Sequence, residues 1–154
     1  TTFVVDNIAD FLIAKLSTCD SVLIVSPFFS SATPLKSVLS SLSGGVTLIT
    51  APSKTLRTCA QQTIFKSWAS PCGGQTSKVL TIAVGSGKKK SIAHSKYVVG
   101  FRNSKPIFCT TGSYNITGGS PTNIENVVCF EAEEMIDLIF KECLDIVSIS
   151  KPFC

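Results

Sequence analysis

Residues 94–130 of the chain are HSKYVVGFRNSKPIFCTTGSYNITGGSPTNIENVVCF. The runs at 94–101, 106–111 and 126–130 are each the length of one strand and predict three strands. Because side chains alternate between the two faces of a strand, His94 and Lys96 are expected to project to the same face. This stretch therefore predicts a region of β-sheet in which an imidazole and an ammonium group lie side by side.

Strands and helices alternate on either side of this stretch. Continuous apolar runs predict further strands at 21–29, 46–50 and 79–84. Helical spacing and capping residues predict helices at 8–16 after Asp6 or Asn7, from Thr33-Pro34 to Gly44-Gly45, from Pro52 to about Trp68, and at 133–147. This order predicts an α/β fold with a mixed β-sheet sandwiched between helices.

The length and composition limit the class of protein. A chain of 154 residues can bury one core, so a single domain over residues 1–154 is expected. Its 44% hydrophobic and 16% charged residues exclude a disordered chain and a coiled coil. The longest apolar runs fall short of the roughly 20 residues that a membrane-spanning helix needs, so no transmembrane segment is expected. Because the chain starts at Thr1 and its only methionine is Met135, we expect a processed or excised part of a longer chain.

The charges are unevenly distributed. No acidic residue occurs between Ser21 and Ile124, and this segment carries eleven cations, so its formal charge is +11. The cations are Lys36, Lys54, Arg57, Lys66, Lys78, Lys88, Lys89, Lys90, Lys96, Arg102 and Lys105. A segment of this sign attracts polyanions such as nucleic acid or an anionic membrane surface, although a solvated basic face is the simpler alternative.

The seven cysteines favour reduced thiols. They are widely spaced, with no C-x-x-C pair and a single histidine in the chain, which argues against a zinc site. Cys109 and Cys129 lie inside apolar runs and Cys143 lies on an apolar helical stripe, where a free thiol behaves as a small hydrophobe. We therefore favour a reducing intracellular compartment and leave the localisation otherwise open.

Five polar residues form the candidate catalytic set. They are His94, Lys96, Ser113, Asn115 and Glu125, and they fall at or near the ends of predicted strands. A base or nucleophile, a cation, a hydroxyl, an amide and a carboxylate are the groups needed to hold and attack a phosphate diester. Each residue taken singly has a simpler interpretation as a surface or turn residue, so the hypothesis rests on their joint order.

That joint order resembles the signature of the phospholipase D superfamily. The matching motifs are His94-x-Lys96, Gly112-Ser113-x-Asn115 and Asn123-x-Glu125-Asn126. The family pattern has an aspartate where this chain has Phe101, and a branch of metal-independent, restriction-type nucleases in the family also lacks that aspartate. The pattern is closest to that branch.

The resemblance implies a mechanism and an assembly. In the family, one histidine attacks phosphorus to give a phosphohistidine and a second protonates the leaving oxygen, with no metal or other cofactor. Since this chain has one histidine, the second His94 would come from another copy in a homodimer. Lys96 and Asn115 would bind the non-bridging oxygens, Ser113 would add a hydrogen bond, and Glu125 would orient the imidazole.

The resemblance leaves the phosphodiester substrate open. The basic segment favours a nuclease acting on DNA or RNA, with Lys88, Lys89, Lys90, Arg102 and Lys105 as candidate nucleic-acid contacts. The alternatives are a phospholipid or cardiolipin hydrolase at an anionic lipid surface, and an inactive module for nucleic-acid binding or dimerisation.

Overall fold

The computed structural model describes residues 1–27, 33–50, 78–81, 83–84, 91–92, 95–116 and 124–152. Three helices lie in these ranges: α1 (Ile8–Leu16), α2 (Lys36–Ser40) and α3 (Glu133–Ile149). The strands are β1 (Thr2–Val4), β2 (Ser21–Val25), β3 (Gly45–Thr50), β4 (Lys78–Thr81), β5 (Ala83–Val84), β6 (Ser91–Ile92), β7 (Tyr97–Arg102), β8 (Lys105–Gly112), β9 (Val127–Phe130) and β10 (Lys151–Pro152).

Eight of these strands form one mixed sheet. Its order is β1-β9-β8-β7-β2-β3-β4-β10, and β5 pairs with β6 in a separate two-stranded sheet. The β2–β3 and β3–β4 pairs are parallel, whereas β2–β7, β7–β8 and β8–β9 are antiparallel. The predicted mixed sheet is therefore confirmed.

Helices cover both faces of the sheet. In β2, Val22 and Ile24 pack in the cluster that includes α1 and α2, whereas Leu23 and Val25 pack in the cluster that includes α3. Because β2 carries apolar side chains on both faces, it is stable only between two layers that bury them. This two-sided burial is the physical reason for its continuous apolar run. The α-β-α sandwich predicted for the chain is confirmed.

Several element boundaries differ from the predicted ones. The strand predicted at 94–101 begins at Tyr97, so Lys96 precedes the strand instead of lying within it. The run at 79–84 is divided between the strands β4 and β5, which belong to different sheets. The second helix is shorter than predicted, because Lys36 N–H bonds to the Thr33 carbonyl, three residues back, in a tight turn that precedes it.

Other parts of the prediction were incomplete. The strands β1 and β10 are three and two residues long, too short for an apolar period to reveal them. Asn7 occupies the N-cap of α1, but its side chain makes no capping hydrogen bond. The helix predicted from Pro52 to Trp68 lies outside the described residues.

The described cysteines are free thiols, as predicted. Cys109, Cys129 and Cys143 are buried, and Cys19 is partly buried. The pKa of Cys109 is raised to about 11 and that of Cys143 to about 12, chiefly by burial and to a smaller extent by a neighbouring cysteine. These thiols are uncharged at neutral pH. Within the described ranges no helix is long and apolar enough to cross a membrane.

Candidate active site

The register of the sheet brings the ends of four strands together. Val25 is opposite Tyr97, Tyr97 is opposite Thr111, and Gly112 is opposite Val127. The carboxyl ends of β2 and β8 therefore lie at the same edge as the amino ends of β7 and β9. The residues just beyond these ends, Ser26, Lys96, Ser113 and Asn126, meet at that edge.

Lys96 places a cation at this edge. It is partly buried immediately before β7. Burial lowers the pKa of the Lys96 ammonium below its ordinary value, and the charge of Glu125 acts in the opposite direction. Lys96 and Glu125 thus interact electrostatically although they are 29 positions apart. An ammonium that has lost part of its hydration attracts a phosphate more strongly than one in bulk water.

Hydrogen bonds join the loop after β8 to the loop before β9. Ser113 N–H donates to the Asn126 carbonyl at 3.0 Å, and Asn126 N–H donates to Ser113 Oγ at 2.9 Å. These bonds hold Glu125, the residue before Asn126, beside the Gly112-Ser113 turn. The Ser113 hydroxyl is therefore an acceptor from the protein backbone, in addition to any contact with a substrate.

Gly112 permits the close approach of β8 and β9 at this point. A Cβ added there would overlap the Asn126 carbonyl oxygen and would lie 2.9 Å from Val127 Cα. Both obstructing atoms belong to the backbone, which cannot move aside as a flexible side chain can. The close approach of the two backbones thus explains why this fold has glycine at the first position of the Gly-Ser-x-Asn motif.

Asn115 contacts a residue that the sequence analysis missed. Ser26 Oγ donates to Asn115 Oδ1 at 3.4 Å and accepts from Ile116 N–H at 2.9 Å. Ser26 is only 1% exposed. In the sequence, Ser26 is recognisable as a polar residue between an apolar strand and Pro27. No local pattern indicates that its partner is Asn115.

Tyr114 was also missed by the sequence analysis. It is half-buried, and burial raises the pKa of its phenol, with the negative charge of Glu125 adding to the effect. It lines a small cavity together with Lys96 and Ile116. The motif pattern treats position 114 as variable, so only the fold reveals that its side chain lies at this edge.

The structure does not bring all of the predicted residues to this edge. Arg102 and Lys105 lie at the opposite end of the β7–β8 hairpin, about 17 Å from Tyr97 at 3.3 Å per residue. Arg102 Nε donates to the Thr18 carbonyl at 2.9 Å. Lys105 lines a cavity of about 370 Å³ that is also bounded by Glu131, Glu133 and Asp137, so it lies beside carboxylates.

Phe101, which stands in place of the motif aspartate, is also remote from this edge. It lies about 13 Å along β7 from Tyr97. Its ring packs edge-on against Phe140 of α3, with the ring centroids 5.4 Å apart. The aromatic residue at this position therefore belongs to the core beneath α3.

His94 and Lys88 to Lys90 lie outside the described residues, and their roles stay predictions. The described part of the chain contains no group of three or more histidine, cysteine, aspartate or glutamate side chains that could hold a metal ion.

The fold is similar to those of three known proteins. NucT from Helicobacter pylori has a TM-score of 0.75 at 17% identity, with 98% of this chain and 97% of that chain covered. Nuc from Salmonella typhimurium, a phospholipase D family member, has a TM-score of 0.70 at 13% identity, with 98% and 95% covered. TrmBL2, an archaeal chromatin protein with a novel mode of DNA binding, has a TM-score of 0.63 at 11% identity, with 98% and 53% covered.

These likenesses extend over nearly the whole chain. No family model matches the sequence, and no curated protein sequence does. The fold of this chain is therefore similar to that of Nuc, a phospholipase D family member, and this agrees with the fold that the resemblance of the motifs implied.

Proposed function

We propose that this protein is a metal-independent phosphodiesterase, and specifically a nuclease, whose site lies at the sheet edge that carries Lys96, Ser113, Asn115 and Glu125. The observation that carries the proposal is the meeting of these four residues at the ends of β7, β8 and β9. An ammonium, an amide and a hydroxyl can bind the oxygens of a phosphate, and a carboxylate can orient a base.

His94 supplies the nucleophile in this proposal. It precedes Lys96 by two positions, in the His-x-Lys order on which the resemblance to the phospholipase D superfamily rests. An imidazole nitrogen attacks phosphorus, an N–P bond forms, and the P–O bond to the leaving group breaks. Water then cleaves the N–P bond and regenerates the imidazole.

The leaving oxygen requires a proton from a second group. Since the chain has one histidine, the His94 of another copy is the proposed general acid, which makes the working enzyme a homodimer. Sedimentation at micromolar concentration should give twice the monomer mass of 16.4 kDa. A monomer that still cleaves diesters would contradict the shared site.

The loss of the motif aspartate does not argue against activity. Phe101 lies near the end of β7 that is remote from Lys96, and its ring packs against Phe140. We therefore treat the site as competent for catalysis.

Nucleic acid is the substrate class that the charge distribution supports. The segment from Ser21 to Ile124 has a formal charge of +11 and includes Lys96 itself. Such a segment strengthens the binding of a polyanion through release of its counterions. The similarity of the fold to TrmBL2, an archaeal chromatin protein with a novel mode of DNA binding, supports the same substrate class.

Cleavage in the presence of EDTA tests the proposal. Labelled single-stranded and double-stranded DNA and RNA should be cut by the wild type in excess EDTA, and His94→Ala should abolish the cleavage. Lys96→Ala and Asn115→Ala should each lower kcat by about 10²-fold, the scale of a lost contact to a developing negative charge. Lys141→Ala, on α3 and outside the basic segment, is the matched control and should cleave at the wild-type rate. Full activity of His94→Ala would refute the mechanism.

The second candidate is a DNA-binding module without turnover, which the likeness to TrmBL2 over 98% of this chain favours. Binding that weakens steeply with salt, with no cleavage of any nucleic acid, would identify it. Hydrolysis of cardiolipin in vesicles, with no cleavage of nucleic acid, would instead identify a lipid hydrolase.

A further inference from the structure

Ser26 lies buried at the junction of the candidate site and the core. It follows β2 directly and is 1% exposed. Its backbone N–H donates to the Ile49 carbonyl of β3 at 3.0 Å, so the position of its Cα is set by the sheet. A side chain attached to such a position can define the geometry of its neighbours.

The Ser26 hydroxyl connects β2 to the loop after β8. Its Oγ accepts from Ile116 N–H at 2.9 Å and donates to Asn115 Oδ1 at 3.4 Å. Ile116 is itself buried in the same cluster as Leu12 of α1. The loop that carries Asn115 is therefore fixed by the core on one side and by Ser26 on the other.

We propose that Ser26 is a positioning residue that sets the orientation of the Asn115 amide. The inference rests on the proposed function, because it concerns how Asn115 meets a phosphate. An amide group is planar, and its oxygen and its nitrogen point in different directions. With Oδ1 directed at Ser26, the Nδ2 donors are directed away from Ser26.

The orientation matters because the two ends of the amide have opposite effects on a phosphate. A phosphate oxygen accepts hydrogen bonds, so it is stabilised by Nδ2 and repelled by the lone pairs of Oδ1. The stabilising contact strengthens as negative charge develops on the oxygens during attack. A hydroxyl that prevents the amide from turning over therefore acts mainly on kcat.

Kinetics of three variants test this role. The substrate is bis-p-nitrophenyl phosphate in EDTA, a small diester that needs no binding groove. Ser26→Ala should lower kcat about tenfold, the effect of losing one well-placed hydrogen bond, with a smaller change in KM. Ser26→Thr keeps the hydroxyl and should recover most of the wild-type kcat.

Thr33→Val is the matched control for stability. Thr33 is 3% exposed, and its hydroxyl also accepts a backbone N–H, that of Leu35 at 3.2 Å. This variant should lower Tm by a similar amount to Ser26→Ala while kcat stays at the wild-type value. Equal loss of kcat in both variants, or no loss in Ser26→Ala, would overturn the positioning role.

A nuclear magnetic resonance measurement tests the contact without turnover. The side-chain NH2 signals of Asn115, assigned by their disappearance in Asn115→Asp, should move in Ser26→Ala and stay in place in Thr33→Val. Added inorganic phosphate should shift these signals less in Ser26→Ala than in the wild type. If the wild type cleaves no diester but these shifts occur, the nuclease proposal fails and the positioning role of Ser26 stands. Unchanged Asn115 signals in Ser26→Ala would refute the positioning role of Ser26.

Discussion

Lys96 experiences two opposing electrostatic effects at the sheet edge. Burial disfavours its charged form and lowers the pKa, whereas the negative charge of Glu125 favours the charged form and raises it. The burial effect is the larger, so the net pKa lies below the ordinary lysine value. The ammonium therefore loses its proton at a lower pH than a lysine in water does.

Glu125→Gln should lower the pKa of Lys96 further. The change removes the negative charge of Glu125, which raises the pKa of Lys96 in the wild type. Lys96 therefore loses its proton at a lower pH in the variant. Titration of Lys96 labelled with 13C, followed by nuclear magnetic resonance, measures this directly. Glu133→Gln on α3, which lines the cavity at the opposite end of β8, is the control and should leave the pKa of Lys96 unchanged. An upward shift in Glu125→Gln would show that the assigned interaction is wrong.

Phe101→Asp tests the position of the missing aspartate. The change would remove a ring that packs against Phe140 and place a carboxylate in the cluster under α3, which should cost about 1–3 kcal/mol of stability. Turnover should not rise, because the position is remote from Lys96. Denaturant unfolding and diester hydrolysis measure the two effects. A gain in kcat would show that position 101 acts on the site.

At the scale of the elements, the site depends on how closely β8 and β9 approach each other. The pair Ser113 and Asn126 exchanges backbone and side-chain hydrogen bonds beside Gly112, where a Cβ would overlap the Asn126 carbonyl. The position of Glu125 follows from this pairing. The two strands thus set the position of Glu125 through their backbones and not through their side chains.

Gly112→Ala should separate β8 from β9 at the site. We expect a loss of about 1–3 kcal/mol of stability, as for other overpacked positions, together with a fall in kcat because Glu125 and Ser113 move. Gly100→Ala is the matched control, since its Cβ would meet Cys19 Sγ at 2.6 Å and the Phe108 ring, in the middle of the sheet. Both variants should have a lower Tm, but only Gly112→Ala should lose kcat while folded. Equal kcat in the two folded variants would contradict the role of the approach.

At the scale of the whole molecule, the relevant property is the uneven distribution of charge. All of the acidic residues lie outside the segment from Ser21 to Ile124, so the sum of charge on that segment is far above the net +4 of the chain. A nucleic acid responds to the local field within about 10 Å at ordinary salt and not to the net charge. We therefore expect the cations of this segment, and not the net charge of the chain, to set the affinity for a polyanion.

Changing Lys88, Lys89 and Lys90 together to Ala should weaken the binding of single-stranded DNA and reduce its salt dependence. Each phosphate contact that is lost removes nearly one unit from the slope of log affinity against log salt concentration. Fluorescence anisotropy at several salt concentrations measures both quantities. Lys141→Ala, in the acidic helix α3, should change neither. An unaltered slope in the triple variant would exclude these lysines as phosphate contacts, and Arg102→Ala with Lys105→Ala then tests the opposite end of the β7–β8 hairpin.

The sequence by itself determined the layered α/β fold, because apolar runs and helical spacing are local patterns that depend on a few neighbouring residues. The two-sided burial of β2 and the stripe of α3 followed from such patterns. It also named Lys96, Ser113, Asn115 and Glu125 as candidates, through motif order and strand ends.

Only the tertiary structure decided which residues share the site. Ser26 and Asn115 are 89 positions apart and meet because β7 lies between β2 and β8 in the sheet, an order that no local pattern encodes. The extended β7 strand carries Phe101, Arg102 and Lys105 away from Lys96, although they are its near neighbours in the chain. A strand extends by about 3.3 Å per residue, so closeness in sequence becomes distance along a strand, and closeness in space arises from pairing between strands.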